Sequence, residues 1–267
     1  MSEYIWKYLS LDKFISLLEN SGLYFPTIKN LKNNIDPEEC CIFDYYTNIK
    51  KQELKENNNL PIGINKKILE YHNSLNKIKQ DAINNIFVCS FTNDDIENYA
   101  LWKIYPTDLN GMQQINQGIA IKIRKSYFNE LLQNPYFVMN DGTVITSYRL
   151  FIKTMNYQPR EKIIDLAKSL DNLPSCSEFY NLIHSLKLEY YQYEKEVRAV
   201  LQLLSENKNC CNGGFLKFDL KKLFDKNYSE IILSPFAQKC LSDYVKFLLE
   251  KHKIDGQILV DKSSILV

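Results

Sequence analysis

Residues 190–198 read YYQYEKEVR and hold the densest group of side chains that could do chemistry. Extended backbone points alternate side chains to opposite faces, so Glu194, Glu196 and Arg198 fall together and Tyr193, Lys195, Val197 and Ala199 oppose them. Two carboxylates and a guanidinium on a face entering a core are costly unless they are paired or used. Arg198 can neutralise a glutamate in a structural ion pair. Alternatively, one glutamate is held by its neighbours to engage a substrate hydroxyl or to face a developing cation. The residues alone leave both open.

Three other stretches carry reactive or aromatic groups. Residues 34–39 form an acidic turn, with Asp36, Glu38 and Glu39 around Pro37; as a helix start they would sit favourably against its dipole. Residues 88–92 (VCSFT) read as a strand with Ser90 and Thr92 on one face. Trp102 and Tyr105 share a helical face, either as core or as an aromatic platform. Asp36, Glu39 and Glu196 could bind a metal in a nuclease only if folding made them converge. There is no GxSxG elbow and no Walker-type phosphate loop, and the Asn212–Gly213–Gly214 turn reads as the close of a hairpin. His72, His184 and His252 lie mid-helix or at a helix end, which suits surface or packing roles.

The elements that must position these groups follow from periodicity. Strands are expected over 4–8, 23–25, 87–91, 118–123, 143–151, 196–203, 215–219, 230–233 and 257–260. A helix capped by Ser10 should carry Leu11, Phe14, Ile15 and Leu18 and stop near Gly22. Pro37 suits the first position of a helix through Phe43. Further helices are expected over 65–84, as two pieces within 160–188, and late in the chain around Leu241, Tyr244, Val245, Leu248 and Leu249. The pattern predicts an α+β fold with a mixed or antiparallel sheet. No linker or repeat divides the chain, so residues 1–267 read as one domain with helical insertions near 37–85 and 159–188.

Composition narrows the function classes. The chain has 267 residues, 45% of them hydrophobic, enough for a sizeable core. With 33 basic against 32 acidic residues, bulk electrostatic attraction to nucleic acid is not expected. Seven cysteines without a CxxC or zinc spacing read as reduced thiols, and no apolar run is long enough to span a bilayer. Residues 1–10 lack the pattern of a secretory signal, so a cytoplasmic protein with no membrane partner is expected.

Taken in order, eight short motifs resemble one family. They are Tyr8 with Ser10, residues 23–25 (LYF), Asp36–Pro37 with Glu39, residues 90–92 (SFT), Leu101–Trp102 with Tyr105, residues 118–121 (GIAI), Tyr193–Glu194 with Glu196 and Arg198, and residues 233–235 (LSP). The chain resembles the bacterial domain of unknown function twenty-nine seventy-one family over nearly its whole length, outside the helices at 40–85 and 159–188. The opening strand–helix–strand, the serine-bearing middle strand and the glutamate-bearing late strand are also similar to the ADP-ribosyltransferase superfamily. That resemblance implies a cleft between two sheets, with NAD as substrate and no metal. It places Glu196, or Glu194, as the catalytic carboxylate. Tyr8, Ser10, Ser90, Trp102, Tyr105 and Arg198 would contact NAD, although the first strand has no Arg or His and the middle motif is Ser–Phe–Thr rather than Ser–Thr–Ser. It further implies an ADP-ribosyltransferase-like enzyme or NAD glycohydrolase acting on a protein or nucleic-acid acceptor, such as a toxin or anti-phage defence effector restrained by an inhibitory protein. A non-catalytic ligand- or protein-binding module is the alternative from the residues alone.

Overall fold

A computed structural model describes residues 2–34, 36–56, 77, 79–80, 83–107, 111–133, 135–170, 182, 185–204, 212–254, 256 and 258–266. The chain opens β1 (Tyr4–Ser10), α1 (Leu11–Glu19), β2 (Gly22–Pro26), α2 (Ile28–Asn34) and α3 (Cys41–Glu56). Next come β3 (Ile86–Thr92), α4 (Tyr99–Ile104), β4 (Gly118–Arg124), α5 (Lys125–Leu131), β5 (Tyr136–Met139), β6 (Val144–Ile145), β7 (Tyr148–Thr154), β8 (Asn156–Gln158) and α6 (Arg160–Ser169). The last part holds β9 (Leu186–Leu188), a 3₁₀ turn at Glu189–Glu194, β10 (Glu196–Leu203), β11 (Gly213–Lys217), α7 (Leu220–Leu223), β12 (Ser229–Leu233), α8 (Lys239–Lys251) and β13 (Leu259–Lys262).

A seven-stranded mixed sheet in the order β13-β12-β4-β1-β3-β10-β7 faces a four-stranded sheet in the order β2-β11-β5-β6. Alternation explains how the large sheet has two different faces. Ile5, Leu9, Phe87, Phe91, Ile119, Ile121, Ala199 and Leu201 point into the main core with Phe25, Phe137 and Leu216 of the small sheet. The opposite face divides. Val88 and Val200 pack beneath α3 and α6, whereas Trp6 and Tyr8 pack with Leu101 and Trp102 of α4. The polar residues between these two apolar clusters form the site.

Several expectations are corrected. Gly213 and Gly214 do not close a hairpin; they lie in β11, paired with Pro26, Phe25 and Met139. A Cβ on Gly214 would stand 2.5 Å from the Phe137 ring and 2.7 Å from the Val138 carbonyl oxygen, so these glycines allow close approach inside a sheet rather than a turn. Residues 186–188 form a short strand, not the end of a helix, and pair in parallel with β8. The strand expected over 143–151 is two strands, β6 and β7, in different sheets. Residues 37–40 are a turn, and the helix begins only at Cys41. The loop at 57–63, most of the 65–84 helix and the second piece of the 160–188 helix lie outside the described residues. No helix among the described residues is long and apolar enough to cross a membrane.

Filling the space kept by Gly214 should overpack the interface between the sheets. Gly214→Ala is expected to destabilise by about 1–3 kcal/mol. Urea unfolding should show this as a lower midpoint with an unchanged slope.

Candidate functional site

The strand register assembles the site. Trp6 pairs with Thr92, and Thr92 pairs with Glu196, so one rung crosses β1, β3 and β10. Arg198 lies opposite Ser90 on the next rung facing the same side. Residues 2 to 192 positions apart in sequence therefore meet on one face without any loop having to reach across.

Arg198 is 1% exposed, and every nitrogen of its guanidinium is engaged. Nη1 and Nη2 donate to the two carboxylate oxygens of Glu39 at 2.6 and 2.9 Å. Nε donates to Glu196 Oε1 at 2.6 Å and Nη2 also reaches Glu196 Oε2 at 3.2 Å. The planar fork of arginine suits two carboxylates at once in a way an ammonium could not. Lys187 adds the second cation, donating to Glu196 Oε2 at 2.9 Å and Glu194 Oε2 at 2.7 Å while lying over the Tyr191 ring.

Glu194 reaches this cluster by a different route from the one alternation suggests. It is not on the strand. It ends the 3₁₀ turn, and Lys195 follows with φ 44°, a left-handed residue that redirects the chain before β10 begins. The Lys195 carbonyl accepts from the Asn93 N–H at 2.9 Å, and its amino group pairs with Asp94 at 2.6 Å. The loop before α4 thus holds the bend that turns Glu194 toward Glu196.

Asp36 and Glu39 of the 36–39 turn are committed to the same cluster, not to a helix dipole, whereas Glu38 points outward and pairs with Arg160 at 3.0 Å. Glu39 grips Arg198. Asp36 Oδ1 accepts from the Glu38 N–H and the Tyr191 hydroxyl, while its buried Oδ2 has no partner. Asp36, Glu39 and Glu196 do converge, but around Arg198 and Lys187. Among the described residues, no three His, Cys, Asp or Glu side chains are grouped to hold a metal ion.

Glu196 and Glu194 have opposite acidities. Burial disfavours the Glu196 carboxylate, but the charges of Arg198 and Lys187 outweigh it and hold this carboxyl well below the usual range, with a hydrogen bond from Ser90 assisting. Burial raises Glu194, Lys187 only partly offsets that, and Glu196 pushes it further up. Asp36 is raised by burial and by Glu39. Burial also raises the Tyr8 and Tyr105 phenols, keeping both neutral; Tyr8 accepts from the Asn98 N–H at 3.0 Å and Tyr105 hydrogen-bonds Glu194.

A cavity of about 10 Å³ sits here, lined by Trp6, Tyr8, Ser90, Tyr105, Glu194 and Glu196 among others. It has room for about one water molecule. The structure therefore brings together Tyr8, Ser90, Tyr105, Glu194 and Glu196. Three other residues assigned to NAD do not border the cavity. Trp102 stands behind Tyr8, edge to face at 4.9 Å, with Nε1 donating to Glu97 at 3.0 Å. Arg198 lies beneath Glu196. Ser10 is buried and directs its hydroxyl to Asp12. Sequence reasoning missed Lys187, which lies in a stretch read as helix; its place between Leu186 and Leu188 was the available sign of a strand. It also missed Tyr157, whose hydroxyl accepts the Glu196 N–H at 2.6 Å.

Two predictions come from this charge arrangement. Glu196→Gln leaves Arg198 on Glu39 and Lys187 on Glu194 and keeps one acceptor oxygen, so it should cost only about 1–3 kcal/mol, the range for leaving one buried polar group unsatisfied. Arg198→Gln leaves the acids facing Lys187 alone and should cost about 3–5 kcal/mol or prevent folding. Chemical unfolding of both variants gives the ranking, and an equal cost would overturn it. The second concerns acid. A carboxyl depressed in the folded state contributes stability above its ordinary value of 4.5 and loses it as pH falls. The thermal midpoint should fall below about pH 4.5, and Glu196→Gln should show a shallower acid slope. The chain matches no protein-family model, no curated protein and no solved structure.

Proposed function

We propose that this protein cleaves the nicotinamide–ribose bond of NAD, transferring ADP-ribose to a protein or nucleic-acid acceptor or to water. The observation that carries this is the meeting of Tyr8, Ser90, Tyr105, Glu194 and Glu196 at one cavity, with the two carboxylates driven to opposite acidities. Glu196 stays ionised and faces the positive charge that develops on ribose C1′ as the bond electrons leave with the nicotinamide nitrogen. Glu194, whose raised pKa makes its carboxylate the stronger base, takes the proton of the attacking hydroxyl or water. Ser90 orients Glu196, and the aromatic rings wall the leaving group. Separated acidities of two neighbouring carboxyls are what such a division of labour needs. The strand–helix–strand opening, with β1 in the large sheet and β2 in the small one, supports the same proposal. The role we propose with it is that of a toxin or defence effector held in check by an inhibitory protein.

Substrate binding requires the cavity to widen. The walls that would have to part are the 99–105 and 189–194 segments, tied to each other through Asn98 Nδ2 and the Tyr193 carbonyl at 3.0 Å. A second function, a non-catalytic binding module, is favoured by the small cavity and by Glu196 having both oxygens engaged by cations.

Free nicotinamide released from NAD separates the two. The purified protein should release it, and Glu196→Gln should lower the rate by about 10²–10³-fold while remaining folded. No nicotinamide from the wild-type protein, or an unchanged rate in the folded variant, favours the binding module.

A further inference from the structure

A second cavity lies on the same side of the large sheet, beyond Trp6. It has a volume of about 80 Å³ and is lined by Tyr4, Lys122, Arg124, Lys226, Asn227, Tyr228, Ser229 and Glu230. The register builds it: Tyr4 pairs with Arg124, Trp6 with Lys122, and Lys122 with Glu230. The Asp225–Tyr228 turn, closed by the Tyr228 N–H on the Asp225 carbonyl at 2.9 Å, brings Lys226 and Asn227 over the strand ends.

Three cations and one carboxylate line this space. Lys122 meets Glu230 at 3.1 Å and lies over the Tyr4 ring at 4.4 Å. Arg124 is 3.2 Å from Glu3 through Nε, yet that nitrogen makes no hydrogen bond. Lys226 is exposed and forms no ion pair among the described residues. A cavity with excess positive charge and unmet hydrogen-bonding capacity fits an oxyanion, because several N–H donors can converge on its oxygens.

We propose that this cavity binds a phosphate group, held by Arg124 and Lys226 with Lys122 and opposed by Glu230 beside Lys122 and by Glu3 beside Arg124. A phosphate offers an oxygen to each cation at once, whereas a carboxylate has only two oxygens to share among three. Arg124 supplies the fork and the two lysines supply point charge. Glu230 competes with the ligand for Lys122, so its charge sets the affinity. Neither Glu194 nor Glu196 takes part, and the site stands whether or not NAD is cleaved.

The test is titration of the whole protein with inorganic phosphate at constant ionic strength, read by calorimetry and by the shift in thermal midpoint. Wild-type protein should bind, Arg124→Gln with Lys226→Gln should weaken binding at least tenfold, and Glu230→Gln should tighten it at least threefold. Glu161→Gln, which removes an acidic residue at the distant start of α6, should leave it unchanged. Methyl phosphate distinguishes the source: binding as tight as the free ion assigns the phosphoryl group of a larger molecule, weaker binding assigns free phosphate, and both uphold the site. Absence of wild-type binding, equal binding by the folded double variant, or the same gain from Glu161→Gln as from Glu230→Gln would overturn it.

Discussion

A buried guanidinium is the constraint on which this structure depends. Arg198 cannot shed its charge, and its removal from water costs several kcal/mol unless its donors are met. Glu39 and Glu196 meet them. Glu39 can do so only if the 36–40 turn folds back onto β10, and Glu196 only if β10 keeps its register. A slip of one residue would drive Arg198 into the apolar core with Ala199 and Leu201. The ion pair therefore specifies the alignment of the middle of the large sheet more than it adds to net stability.

Surplus negative charge is the consequence. Among the described residues Asp36, Glu39, Glu194 and Glu196 face the cations Lys187 and Arg198, and burial, with the surplus negative charge adding to it, raises the pKa of Asp36 and of Glu194. The same arrangement that keeps Glu196 ionised thus makes Glu194 retain its proton more readily. Architecture and chemistry cannot be cleanly separated here, because the residue best placed to face a substrate cation is also bound to the cation that aligns the sheet.

The aromatic wall is anchored in its turn. Glu97 accepts from Trp102 and from the Ser264 N–H at 2.8 Å, tying α4 to the segment after β13. Trp6 donates through Nε1 to the Asp94 carbonyl at 2.8 Å. The loop at 93–98 accordingly joins the first strand, the aromatic helix and the left-handed bend at Lys195. A change in that loop would be felt at Tyr8 and Glu194 together.

The sequence by itself determined the elements with strong local periodicity. β1, α1, β2, β3, β4, β10, β12 and α8 lie close to where alternation or helical spacing puts them, since each has one apolar face that only one repeat can bury. It also singled out Glu194, Glu196 and Arg198, because charge in an otherwise apolar stretch needs an explanation. Tertiary structure decided the rest. Gly213 and Gly214 look like a turn, but the demand is for close approach to Phe137 and Tyr24, which no local pattern contains. Residues 186–188 are too few to display a period, and their parallel pairing with β8 joins segments thirty residues apart. Glu39 and Arg198 are 159 positions apart, and nothing in either neighbourhood names the other. Local spacing encodes which face a side chain takes; which charges meet on that face is set by strand register and by the free-energy cost of leaving any of them buried alone.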